Sequence, residues 1–196
     1  MPKEKTSSET AMRLVAAAIL EFNERGYFHT DTNRIAKRAG FAPGTFYRYF
    51  ADKKAILLAA YRDHVVRDWE ELAGLVDGAG HVEDLLPRFV DTVLKRHRAW
   101  RGIRAGMRSL QHHDDEVMGC YRQQKRWQLL WIENMLGALG GGPRTMEENY
   151  CFLVSFERIC DSLANDEPRR LRLKRPRLRA YLEDLLRLHV GADRAM

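Results

Sequence analysis

Apolar residues recur along this chain at intervals of three and four, and no stretch alternates with period two. That spacing is the mark of amphipathic helices and points to an all-α fold. Over residues 9–25, Met12, Val15, Ala16, Ile19 and Phe22 fall on one face, and Gly26 follows as a left-handed cap. Asp31 stands where it caps a second helix with Ile35, Ala36 and Ala39 inward, and Gly40 stops it. Pro43 suits the first turn of a short third helix, because a proline there loses no hydrogen bond. Phe46 and Phe50, four apart, give that helix its buried side, and Asp52 caps a fourth helix reaching about Leu75.

Residues 74–80 (GLVDGAG) are the first clear break. Further helices are expected over about 81–98, 100–111, 115–139, 144–163 and 177–190, with Gly140-Gly141-Gly142-Pro143 as a strong interruption. The pattern divides the chain into an N-terminal three-helix module, 1–54, and a larger helical bundle, 55–196.

Composition narrows the class. With 45% hydrophobic residues in 196, the chain can bury a core. The net charge of +6 permits a polyanionic partner, and its distribution matters more. Residues 1–54 carry ten Lys/Arg against six Asp/Glu, residues 165–180 carry seven against two, and the rest is acidic. Three cysteines (Cys120, Cys151, Cys160) without CxxC spacing argue against a disulfide framework and for a reducing cytoplasm, and read as small buried apolar residues. No apolar run approaches the length of a membrane span. The polar start, MPKEKTSSET, reads as a frayed arm.

The second and third helices, joined at Gly40, form a helix-turn-helix, whose second member enters the major groove of DNA while the first lies across the backbone. With Phe46 and Phe50 inward, Gly44, Thr45, Tyr47 and Arg48 are left outward. Gly44 and Thr45 are small enough for close approach to base edges, Tyr47 and Tyr49 offer hydroxyls to phosphates, and Arg48 offers a guanidinium to either. Lys53 opens the fourth helix beside its positive dipole end.

Gly26-Tyr27, Thr30, Ile35-Ala36, Ala39-Gly40, Gly44-Thr45-Phe46-Tyr47, Tyr49-Phe50 and Asp52-Lys53 together resemble the DNA-binding domain of TetR/AcrR-family regulators, over residues 9–57. The resemblance implies a homodimer on double-stranded DNA with a palindromic operator, usually a repressor released when a small molecule enters the C-terminal domain. Carried over by position, its DNA contacts fall on Thr32, Asn33, Pro43, Gly44, Thr45, Tyr47, Arg48, Tyr49 and Lys53. Three positions depart from the family pattern. Ala42 replaces a capping Ser or Thr, Pro43 replaces a polar or basic residue, and Arg34 replaces a frequent acid.

In the bundle, Trp100, Ile103, Met107 and Leu110 line one helix face, and Trp127, Leu130, Trp131 and Asn134 lie on a later helix. With Phe152 and Phe156 they suit a pocket for an apolar or aromatic effector, and they equally suit plain core. Tyr150, Leu153 and Val154 form a second stripe on the helix that carries Phe152. Leu178, Tyr181, Leu182 and Leu185 follow heptad-like spacing. These stripes fit either a dimer interface or monomer core, and the resemblance implies the interface.

His112-His113-Asp114-Asp115-Glu116 lacks the spacing of metal ligands on one helix face and reads as a polar loop plus helix cap. The basic run over 169–177 reads as a solvated loop, unassigned to operator binding. No nucleophile–base pair or phosphate-cradling glycine loop supports an enzyme, and no cofactor is implied. The sequence reading is a ligand-responsive DNA-binding regulator. A DNA-bound regulator without an effector shares the same motif.

Overall fold

The computed structural model describes residues 3–78 and 80–191, with side chains from residue 9 onward. The described residues form helices and no strand: α1 (Lys3–Arg25), α2 (Thr32–Arg38), α3 (Pro43–Tyr47), α4 (Lys53–Asp77), α5 (Val82–Ala99), α6 (Arg101–Leu110), α7 (Asp115–Ala138), α8 (Met146–Ala164), α9 (Glu167–Arg170) and α10 (Arg175–Val190). The all-α expectation holds. Part of the expected N-terminal arm, Met1 and Pro2, lies outside the described residues, and the backbone from Lys3 already belongs to α1. Among the described residues no helix is long and apolar enough to cross a membrane.

Packing groups the residues into Met1–Val65 with Trp100–Arg122, and Val66–Ala99 with Gln123–Met196. This grouping differs from a cut at 54/55, because α6 packs into the first unit.

In the first unit, α1 buries Leu14, Ala17, Ala18 and Phe22. The expected face is therefore rotated: Met12 is exposed, and of the five expected residues only Phe22 is buried. The contact of α1 with α6 is close enough that a Cβ on Gly102 would lie 2.3 Å from the carbonyl of Phe22. Asn23 of α1 completes the joint, its Oδ1 accepting from the Gly102 backbone N–H at 2.7 Å. Trp100, at the N-cap of α6, offers no side-chain bond, so a residue from another helix satisfies this orphan donor.

The ends of α2 follow local chemistry. The Arg34 N–H donates to Asp31 Oδ1 at 2.8 Å. At the other end Gly40 has φ +78°. The Phe41 N–H reaches the Ala36 carbonyl and the Gly40 N–H that of Lys37, a Schellman closure. Arg13 braces this turn, donating to the Ala39 carbonyl at 2.8 Å with its guanidinium 4.5 Å over the Phe41 ring. The Ala55 N–H donates to Asp52 Oδ1, capping α4. Asp114 caps α7 through the Glu116 and Val117 N–H groups and pairs with Lys54.

In the second unit, α5, α8 and α10 pack on one another around Leu86, Phe89, Val90, Leu163, Leu182 and Leu186. Thr145 and Glu148 close a capping box at the start of α8. Two polar pairs sit inside: His97 Nδ1 lies 2.9 Å from Asp161 Oδ1, and Lys125 pairs with Glu157. The basic segment is not all loop, since α9 occupies Glu167–Arg170 and α10 starts at Arg175. Cys120 and Cys160 are buried, but Cys151 is exposed, contrary to the sequence expectation for all three.

Candidate nucleic-acid interface

The site is built on α2, the Gly40 turn and α3. Phe46 is fully buried and anchors α3, with its ring 5.8 Å from that of Phe50. This anchoring turns the opposite face outward: Asn33, Pro43, Gly44, Tyr47 and Arg48 are exposed, while Thr32, Thr45, Tyr49 and Lys53 are half-buried. A Cβ on Gly44 would meet nothing within 4 Å. Packing inside the protein does not require glycine there, so its effect is to leave room on the outer face.

Tyr47 is 57% exposed, yet its hydroxyl is not free to swing, because it lies 2.8 Å from Thr32 Oγ1. Either hydroxyl can donate. The bond ties the first residue of α2 to the last of α3 and holds both outward-facing hydroxyls at one place. Ala42, at the N-cap of α3, makes no side-chain cap, as its identity dictates.

Lys53 has a second set of partners. Its Nζ donates to the carbonyls of Tyr27 and Thr30, each at 2.7 Å, and lies 4.3 Å from the Tyr27 ring centroid. Burial lowers the pKa of this ammonium. Two of its three N–H donors thus brace the 26–31 turn. Thr30 supports the same turn, donating from Oγ1 to the Gly26 carbonyl at 2.9 Å. Sequence reasoning missed Arg13 and this bracing role of Lys53. Their partners lie 26 residues away, beyond any local spacing signal.

Cations on α2 and α3 are sparsely available. Arg34 pairs with Asp31, and Arg38 with Glu24 and Glu21. Lys37 and Arg48 remain exposed without an ion pair among the described residues.

The other candidate residues are divided between the packing units. In the first, Trp100 stacks on His64 at 4.0 Å, Ile103 and Met107 are core, and Leu110 is half-buried. In the second, Trp127 packs 6.5 Å from Trp69 and 5.5 Å from Trp131. Phe156 is buried against Phe89, and Phe152 stacks on His189. Asn134 and Leu130 are exposed. Leu130 lines an open groove of about 680 Å³ with Leu129, Met146, Tyr150 and Cys151. Of the interface candidates, Tyr150 and Tyr181 are exposed, and Val154, Leu178 and Leu185 are half-buried. Leu153 and Leu182 are turned into the monomer's own core, which keeps them from a partner surface.

Residues 14–60 match the profile of bacterial regulatory proteins of the tetR family. The chain is 38% identical over 52 residues to a fatty acid metabolism regulator protein of Bacillus subtilis, covering 26% of this chain and 27% of that one. It is 29% identical over 149 residues to the uncharacterized HTH-type transcriptional regulator YvdT of the same organism, covering 69% of each. The chain thus spans from about a quarter to about two-thirds of the length of these curated relatives. The crystal structure of the Bacillus subtilis regulator FadR with stearoyl-CoA superposes with a TM-score of 0.64 at 20% identity, covering 91% of this chain and 97% of that one. That likeness establishes the fold.

Proposed function

Because residues 14–60 match the profile of bacterial regulatory proteins of the tetR family, we propose that the chain is a TetR-family regulator, a ligand-responsive, sequence-specific DNA-binding repressor and not an enzyme. It acts in the cytoplasm as a homodimer on a palindromic operator, and a small hydrophobic or aromatic effector releases it. The observation that carries this reading is the outward face of α3. There Gly44 leaves open space, and the Tyr47 hydroxyl is fixed on Thr32 beside the exposed Arg48. Such a face positions on phosphates through hydroxyls and reads bases through small and cationic side chains.

Thr32, Asn33, Tyr47, Tyr49 and Lys53 serve the DNA backbone, while Pro43, Gly44, Thr45 and Arg48 face the groove. The dimer reading draws support from apolar side chains left exposed on α8 and α10, namely Tyr150, Tyr181 and Leu188. Exposed apolar surface of this kind is what a subunit interface covers. The effector reading draws support from the Trp69, Trp127 and Trp131 cluster of α4 and α7, and from the stearoyl-CoA held by the FadR relative.

A gel-shift titration on the DNA flanking the chain's own gene, repeated with a panel of aromatic and acyl compounds, tests the whole reading. A retarded species that one compound class dissolves is expected. Retardation that no compound alters would remove the effector from the account. No retardation at all would remove DNA.

A further inference from the structure

Two buried acceptors of the second packing unit have no donor. Gln128 of α7 is 3% exposed, and its Oε1 is buried without a hydrogen-bond partner among the described residues. One turn earlier, the Oε1 of half-buried Gln124 is in the same condition. Buried polar atoms of folded proteins are nearly always paired, because an unpaired one has given up water for nothing. The unit's other buried polar side chains do have partners: Lys125 pairs with Glu157, His97 with Asp161, and Asn149 with His189.

Helical spacing gives these two acceptors a direction. With about 3.6 residues per turn, the line through Gln124 and Gln128 runs between two neighbouring lines of α7. On one side lie Trp127 and Trp131, with Trp127 packed on Trp69 of α4. On the other lies Lys125, which reaches Glu157 of α8. The two carboxamides therefore point to the interior between Trp69 and Glu157, with indole rings along one flank. Charge on the other flank is already balanced, Lys125 by Glu157, and one turn further along α8 Asp161 faces His97. An anion would meet no uncompensated cation among these residues.

Resting on the effector reading above, we propose that Gln124 and Gln128 are the polar anchor of the effector site, and that the effector is an uncharged molecule with an apolar body and a hydroxyl or amide donor. Trp127 and Trp131 take the apolar body, and the donor completes the two Oε1 acceptors. A site built to hydrogen-bond a hydroxyl rejects the analogue lacking it far more strongly than an apolar pocket rejects a change of size, because its own polar groups are left unpaired. A carboxylate brings acceptors to acceptors and sets an anion beside Glu157 without a free counter-charge.

The test is isothermal titration calorimetry of the full chain, without DNA, on two probe sets: naphthol and decanol, each beside its methyl ether and its corresponding carboxylate. On at least one scaffold the alcohol should bind about tenfold or more tighter than the ether, with the carboxylate weakest. Gln128→Leu should bring the alcohol-to-ether ratio to about one while keeping affinity for the ether. Its melting temperature without ligand should stay or rise, since an apolar group of similar size strands no acceptor. Gln124→Leu, at the less buried position, reads the same ratio should Gln128→Leu not fold. A wild-type ratio near one, tightest binding of the carboxylate, or no binding of any probe would overturn the proposal. So would the wild-type ratio in the folded variants, or unfolding of both, because removing an unpaired acceptor carries no such cost. Loss of DNA retardation in the gel shift would overturn the regulator reading alone, and the calorimetric ratio would still decide the anchor.

Discussion

The hydroxyls of Thr32 and Tyr47 lie 2.8 Å apart, joining the first turn of α2 to the end of α3 across the outer face of the helix-turn-helix. Because α3 has only five residues, it cannot hold its own geometry and depends on such links and on the buried Phe46. Tyr47→Phe removes the link together with a phosphate donor. Affinity should fall about tenfold on operator and scrambled duplexes alike, the worth of roughly one hydrogen bond. A loss confined to the operator would assign Tyr47 to base reading instead. Substitutions at Thr45 or Arg48 should change site preference.

The missing cap at Ala42 invites a gain. Ala42→Ser gives α3 a side-chain acceptor for its orphan N–H groups and should stabilise the protein by about 1 kcal/mol. Thermal denaturation should show a rise of about 2–4 °C for a chain of this size. An unchanged or lowered midpoint would mean that the turn before Pro43 does not admit the capping rotamer.

Much of this site was legible in the sequence, because its signals are local. Gly26 and Gly40 do adopt positive φ, and Asp31 and Asp52 do cap. What was not legible depends on distant partners. α1 carries two apolar stripes. Side-chain size favoured Met12, Val15 and Ile19, whereas the folded chain buries Leu14, Ala17 and Ala18. Likewise Lys53 has the position of a phosphate-binding cation, and only the folded chain brings the Tyr27 and Thr30 carbonyls under it.

Lys53 therefore separates two roles that a single substitution would confound. Lys53→Met leaves two carbonyls without their charged donor and should cost about 1–3 kcal/mol in urea denaturation. Intact stability with weakened DNA binding would place the ammonium on phosphate alone.

The α1–α6 joint has no tolerance for a side chain. Gly102→Ala puts a Cβ 2.3 Å from the Phe22 carbonyl carbon and oxygen, and backbone cannot yield as a flexible side chain does. A loss of about 3 kcal/mol or more is expected in chemical denaturation. Wild-type stability would show that α6 does not pack so closely on α1.

His189 ties stability to pH. Its ring stacks on Phe152 and its Nε2 lies 2.9 Å from Asn149 Oδ1. Burial, and then the nearby Arg144 charge, push its pKa down to about 4, while Glu148 acts in the opposite direction. Below about pH 6.5 the unfolded chain takes up a proton that the folded chain resists. The stability from this group is therefore complete above pH 6.5 and is lost as pH falls towards 4. His189→Gln should flatten the stability curve across that window. Parallel curves for the two proteins would show that another group carries the acid sensitivity.

The central claim is that the face of α3 reads a particular DNA sequence. Fluorescence anisotropy of the full chain with labelled DNA flanking its own gene, against a scrambled duplex at 0.15 M salt, measures it directly. The expected affinity ratio is about 10³ or more. Equal affinity for the two duplexes would contradict it.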